Sequence, residues 1–383
     1  MTQTVLLTLG RLPKALELAR ALNGAGARVV VADPFRRHLC TPSRAVARNY
    51  RVAAPRADAG RFRADLARII ADEGVDVIVP VSEEAPYVAA LSSEALRGAR
   101  LSGPVGDARI ALHDKKRFID LAVDAGLDAP KTALLGDARA AEIAGAADFI
   151  MKPRFGSSGA GLKFCARGAR LPAADDGTVV QERVRGREIS SLSVCRDGRV
   201  VGTVLYRGLV FAGTVAVCFE RVTAPAASAW IEAFVAARGY DGFIAFDFIE
   251  TADGRALPIE CNPRLTSGIH FFDPAGLAAA VLDDAPPASV GFKPHRRMQE
   301  GHTTLTKVYG GLPDLREFAR RFVSLLTARD VLFSLKDPGP FVLMTPMSWE
   351  LLAPVMFRGM SFGEAATQDI AWDGAPEATR PSA

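Results

Sequence analysis

Gly242-Phe-Ile-Ala-Phe-Asp-Phe-Ile-Glu250 continues through Thr-Ala-Asp253-Gly254-Arg into Ala256-Leu-Pro-Ile-Glu260-Cys-Asn262-Pro-Arg264. Both flanks carry the apolar runs of strands, and Asp253-Gly254 is a tight-turn dipeptide, so the stretch predicts a hairpin of Gly242–Glu250 with Ala256–Glu260. Side chains alternate across a strand, which places Glu260 and Asn262 on one face and Cys261 on the other. The partner strand can bring Asp247 alongside them. A carboxylate among apolar strand residues is costly to bury unless a cation or a hydrogen-bond donor meets it. Three oxygen donors on one face suit a hard cation, and Mg²⁺ commonly completes its shell with substrate phosphates. The plainer alternative is one buried ion pair with Arg264; the convergence of three donors favours the metal. Cys261 reads as a core thiol.

Working upstream, Lys152-Pro-Arg-Phe-Gly156-Ser157-Ser158-Gly159-Ala-Gly161 places a lysine at the end of an apolar strand, before a Gly/Ser loop. Such a loop can offer backbone N–H groups and a positive charge to phosphate. It is not a Walker loop, because GxxxxGK[ST] is absent and the lysine precedes the glycines. Between loop and hairpin, Val179-Val-Gln181-Glu182-Arg-Val184-Arg-Gly186-Arg-Glu188 leads from a strand through a short linker to the next strand. Backbone groups of a linker can meet an adenine edge, and Glu188 can accept from ribose hydroxyls.

The first hundred residues alternate strands and helices. Val5–Leu9, Val29–Ala32 and Val75–Val81 are buried-strand runs, separated by helical patterns over Pro13–Ala25 and Arg61–Glu73. This spacing argues for parallel βαβ units. Loops at the carboxyl ends of such strands face the ligand crevice, which makes Arg11 and Glu83 site candidates, with capping and surface charge as the plainer reading. No GxGxxG follows the first strand, so dinucleotide binding is disfavoured. One helix is expected over Ala111–Ala125, and further strands over Phe149–Pro153, Glu188–Arg196 and Arg199–Tyr206, the last two joined at Asp197-Gly198. A helix is expected near Ala226–Ala237. Beyond Pro286, Pro-bounded helices such as Asp314–Leu326 and Trp349–Phe357 carry no chemical motif.

Composition narrows the function classes. The 383 residues are 49% hydrophobic and 23% charged, enough for a sizeable core, with a formal net charge of +4. The arginines are scattered, whereas nucleic-acid binding favours a concentrated basic face. The five cysteines show no CxxC spacing, so neither a disulfide framework nor a zinc site is expected. The N-terminus lacks a basic n-region, and no stretch reaches the roughly 18 apolar residues of a membrane span. A cytoplasmic protein acting on small molecules, with neither nucleic acid nor membrane as partner, is the expectation.

Taken in order, these motifs resemble the ATP-grasp superfamily, in particular its carbamoyl-phosphate-synthetase-like and carboxylate–amine ligase members. The resemblance covers roughly residues 1–285. It implies a parallel α/β pre-ATP-grasp lobe (1–108), a two-lobed ATP-grasp fold (109–285, lobes about 109–180 and 181–285) and a mixed, mainly helical C-terminal extension (286–383). It implies ATP as cosubstrate with two Mg²⁺ ions, Mn²⁺ being an alternative. Lys115, after Asp114, matches the lysine at the α-phosphate, with Lys116 as its neighbour. Lys152 matches the second phosphate lysine. Gly156, Ser157, Ser158 and Gly159 match the mobile loop over the β- and γ-phosphates. Gln181, Glu182 and Val184 match the adenine linker, and Glu188 the ribose acid. Asp247, Glu260 and Asn262 match the metal ligands, and Arg264 an arginine that steadies the transferred phosphoryl group. The implied activity joins a carboxylate to an amine through an acyl phosphate. A phosphotransferase or carboxylase on the same lobes, and a non-catalytic nucleotide-binding module, are the alternatives. His113, His270 and His302 are candidates for a general base. The substrates and the oligomeric state stay open.

Overall fold

The computed structural model describes residues 2–156, 161–283, 287–309 and 314–374. The N-terminal sheet comprises β1 (Thr4–Leu7), β2 (Arg28–Asp33), β3 (Arg48–Arg51), β4 (Val77–Val79) and β5 (Arg100–Leu101), in the order β3-β2-β1-β4-β5 with every pairing parallel. The middles of its central strands, Val5–Leu7, Val29–Ala32 and Val77–Val79, are apolar because helices cover both faces. Helix Pro13–Gly24 starts with proline at its first turn, and helix Ala59–Glu73 is capped by the Asp58 carboxylate and ended by left-handed Gly74. Strand order reverses between β1 and β4, so the crevice at the switch point lies between their carboxyl ends. Those ends carry Gly10-Arg11 and Ser82-Glu83-Glu84.

A second, antiparallel sheet holds β6 (Thr132–Leu134), β7 (Phe149–Pro153), β8 (Lys163–Cys165) and β9 (Thr178–Glu182), in the order β6-β9-β7-β8. Helix Ala138–Ala146 covers it through Ala140, Ile143 and Ala144. The third sheet contains β10 (Arg187–Arg196), β11 (Arg199–Ala212), β12 (Val215–Val222), β13 (Gly242–Glu250), β14 (Ala256–Asn262), β15 (Arg297–Gln299) and β16 (Arg329–Asp330), ordered β14-β13-β10-β11-β12-β15-β16. The fold is thus mixed α/β and α+β, as the sequence predicts. The chain beyond residue 286 is mixed and mainly helical, and its short strands β15 and β16 extend this sheet.

The two faces of β13 explain the hairpin's position. Ile244, Phe246 and Phe248 pack with Phe118, Trp230 and Phe234 in an aromatic cluster under helix Pro225–Arg238. Phe243 and Ala245 face the opposite way, into a core shared with Leu9 and Leu16 of the N-terminal lobe. Asp247 follows on that second face, where this shared core gives way to a cavity.

Three local expectations need correction. The single helix over Ala111–Ala125 is two helices, Asp107–His113 and Lys115–Asp124, because extended Asp114 caps the second by accepting from the Lys116 and Arg117 N–H groups. Strand β11 runs six residues past Tyr206, to Ala212, and pairs with β12, which alternation alone did not reveal. The hairpin has a bulge: Asp247 pairs with Glu260 but Phe248 with Pro258, so Ile259 is left outside the ladder. No helix among the described residues is long and apolar enough to cross a membrane.

Gly242 opens β13 at φ +103, and a Cβ there would lie 2.4 Å from the Gly103 nitrogen and 2.8 Å from the Ser102 carbonyl carbon. The positive φ and the backbone contact both demand glycine at this junction of the N-terminal lobe with the third sheet. Gly242→Ala is expected to cost at least about 2 kcal/mol in urea unfolding. An unchanged midpoint would show that the two sheets do not depend on this approach.

Candidate active site

The cavity, about 1260 Å³, lies where all three sheets and the C-terminal segment meet. Its acidic end is built by the ladder. Asp247 and Glu260 are directly paired across β13 and β14. Ser190, opposite Asp247 on β10, donates to Asp247 Oδ1 at 2.6 Å, and Asn262 Nδ2 lies 3.3 Å from Oδ2. Burial, and then the charge of Glu260, push the Asp247 carboxyl up to about 7. Two carboxylates facing one another in a recessed site are arranged for a divalent cation. As placed, Asn262 offers its Nδ2 to Asp247, while its Oδ1 accepts from Arg264 Nη2 at 2.8 Å. A half-turn of that amide presents Oδ1 to a metal instead. Among the described residues no three His, Cys, Asp or Glu side chains form a metal cluster. The donor set is two carboxylates and one amide, which fits Mg²⁺ that draws its other ligands from phosphates and water.

The cations approach from the other sheets. Lys152 Nζ, at the end of β7, donates to the bulge carbonyl of Ile259 at 2.7 Å and to Gln181 Oε1 at 3.0 Å. The bulge therefore has a use, since its unpaired carbonyl fixes the lysine beside the acids. Burial, and then Lys115, bring the Lys152 ammonium down to about 8 against the opposing pull of Glu260. Lys115 Nζ lies 3.4 Å from Glu260 Oε1 and donates to the Gly156 carbonyl at 2.6 Å. Lys116 instead turns to Asp120, which separates the two lysines that sequence left adjacent. Arg264 is buried, and its Nη2 pairs with Glu83 of the N-terminal lobe.

Other candidates fall less simply. Gln181 donates to Thr132 Oγ1 while accepting from Lys152, so its amide orients the lysine. Glu182 is tied twice to Lys131: its N–H donates to the Lys131 carbonyl, and its carboxylate accepts from the Lys131 N–H. That N–H is committed to the sheet, which leaves Val184 to supply backbone groups at the cavity. Glu188 is exposed on the cavity wall at the start of β10. Ser157, Ser158 and Gly159 lie outside the described residues.

Arg11 is neither a free site cation nor a surface charge. Its guanidinium binds Asp33 at 2.7 Å and Asp369 at 2.7 Å and stacks on Phe35. His113 is buried 3.8 Å from Glu83, with burial lowering its pKa. His270 Nδ1 is tied to Glu17 at 2.9 Å, so of the three histidines only His302 is an exposed part of the wall. Sequence reasoning missed Ser190, Lys14 and the C-terminal wall. Ser190 needs the β10–β13 register to be found. Lys14 is the second residue of the helix after β1, near the crevice that strand order defines.

Fold and site together place two carboxylates and an amide opposite lysines from other elements on one α/β framework. Residues 112–268 match the family model described as ATP-grasp domain, and the chain contains that domain. Solved structures share the fold. The biotin carboxylase of Campylobacter jejuni superposes with a TM-score of 0.61 at 15% identity, covering 76% of this chain and 74% of its own. The N5-carboxyaminoimidazole synthetase of Staphylococcus aureus gives 0.58 at 15%, covering 76% and 81%. The biotin carboxylase domain of Hydrogenobacter thermophilus 2-oxoglutarate carboxylase, solved with MgADP and bicarbonate, gives 0.60 at 15%, covering 75% and 71%. No curated protein sequence matches.

Glu300, on the cavity wall, is held protonated up to about 7 by burial and then by Asp330. A carboxyl raised in the fold stays protonated while the unfolded chain has lost its proton, so stability falls as pH rises from about 4.5 to 7 and is level above. Glu300→Gln is expected to remove up to about 3 kcal/mol of that loss. Parallel unfolding curves for both proteins between pH 5 and 7.5 would contradict this.

Proposed function

We propose that this protein is an ATP-dependent ligase that joins a carboxylate to an amine through an acyl phosphate, releasing ADP and phosphate. The observation that carries the reading is the convergence of Asp247, Glu260 and Asn262 with Lys152 and Arg264 on one cavity, with Lys115 3.4 Å from Glu260. Anions repel, and a carboxylate approaching a triphosphate must overcome that repulsion where water is scarce. Mg²⁺, held by Asp247, Glu260 and Asn262, would neutralise phosphate charge and orient the transferred group.

The chain's own groups do the rest. Lys115 and Lys152 hold phosphate oxygens, and their positions are fixed by Gly156, Gln181 and Ile259. Arg264, anchored through Glu83, stabilises charge on the phosphoryl group as the acid oxygen bonds to phosphorus and the bond to ADP breaks. The amine nitrogen then bonds to the acyl carbon, phosphate departs, and the amine's proton passes to solvent or product phosphate. Gly156–Gly161 would cover the site against hydrolysis, as the family resemblance implies.

Glu260→Ala is expected to lower acid-dependent ADP release at least 100-fold, with circular dichroism and melting temperature close to wild type. Retained turnover would refute the metal assignment. A second reading, ATP-dependent carboxylation, is favoured by the carboxylases among the structural neighbours. It predicts ADP release driven by bicarbonate alone, and incorporation of labelled bicarbonate into product separates the two.

A further inference from the structure

Next to Arg264 the cavity holds a further cation, Lys14, that the phosphate-binding set does not use. Lys14 is half-buried on the cavity wall, and its Nζ donates to Ser82 Oγ at 3.2 Å and to the Leu265 carbonyl at 2.9 Å. Both acceptors are neutral. Among the described residues no carboxylate stands within ion-pair distance of it. An ammonium has three donors, and a buried charge without a counter-ion is costly. Burial, and then the nearby charge of Arg264, lower this ammonium to about 7 against the opposing pull of Glu84 and Glu83, which stand beyond ion-pair distance. Lys14 Nζ and Arg264 Nη1 both donate to the Leu265 carbonyl, which sets the two cations side by side between the switch-point crevice and the β14 strand.

The wall beyond that corner is apolar. Leu12, two residues before Lys14, packs against both the shared core and the C-terminal cluster of Leu351 and Phe362. Leu39, Met344 and Leu352 line the same cavity. The Lys14 corner and this wall are contiguous through Leu12-Pro13-Lys14. The volume, about 1260 Å³, exceeds the range of roughly 300–1,000 Å³ common for one small ligand.

We propose that the acid activated here is a carboxylic acid with an extended apolar body, its carboxylate held by Lys14 and Arg264 and its hydrocarbon lying against the C-terminal wall. This rests on the ligase reading for the reaction, but the binding site can be tested apart from it. The segment after residue 286 thereby acquires a role as the specificity wall.

The full chain is titrated by calorimetry with acetate, butyrate, hexanoate, octanoate, 3-phenylpropionate, succinate and glycine, in Mg²⁺ and β,γ-methylene ATP. ADP release and hydroxamate formation with ATP and hydroxylamine are followed in parallel. Affinity is expected to rise about three- to four-fold per methylene from butyrate to octanoate, with succinate and glycine at least ten-fold weaker than hexanoate. Lys14→Gln is expected to weaken octanoate at least ten-fold while keeping the chain-length trend. Phe362→Ser is expected to flatten the trend. The wild-type series is decisive even if a variant fails to fold. A flat series, or a preference for succinate or glycine, overturns the proposal. Octanoate binding that needs Lys14, without ADP release from any acid, would support the pocket and refute the ligase.

Discussion

Two carboxylates that face each other across a β-ladder set the terms for the whole molecule. Asp247 and Glu260 are paired strand to strand, and burial alone would drive one of them to hold a proton. Everything around them answers that strain. Ser190 donates to Asp247, Lys115 stands against Glu260, and Lys152 is pinned beside both by a bulge carbonyl. The aromatic cluster under β13 holds the ladder rigid from behind, so the acids cannot separate to relieve their repulsion. The proposed binding of a divalent cation and its phosphates rests on this arrangement of paired acids ringed by cations.

Among the links between the N-terminal lobe and the site, one is a buried ion pair. Glu83 leaves the carboxyl end of the N-terminal sheet and pairs with Arg264, which also holds Asn262. The loop position rule for open sheets and the hairpin chemistry thus meet in one ion pair. Removing either partner would leave a buried charge unmatched, which costs more than the pair gains. The shared core, running from Leu9 and Leu16 to Phe243 and Ala245, keeps the two lobes in the register this contact needs.

Much of this was legible in the sequence because it rests on alternation. Period-two patterning placed Glu260 and Asn262 together and turned Cys261 into the aromatic core, where it is buried. Apolar runs disclosed the parallel strands, since those are buried on both faces. What escaped depends on pairing instead of pattern. The bulge at Ile259, the partnership of Ser190 with Asp247 and the commitment of the Glu182 N–H to Lys131 follow from register, which a single strand does not encode. The break at Asp114 was hidden because helical spacing continues through it, while the side chain caps the following turn. The C-terminal wall escaped because its leucines and phenylalanines carry no motif and gain meaning only from what they face.

The most direct test of the central claim is Mn²⁺ electron paramagnetic resonance of the protein with ADP, wild type against Glu260→Gln. Bound Mn²⁺ that requires nucleotide in the wild type and vanishes in the variant is the predicted result. Equal Mn²⁺ binding in both proteins would contradict it, because the paired carboxylates would then hold no metal.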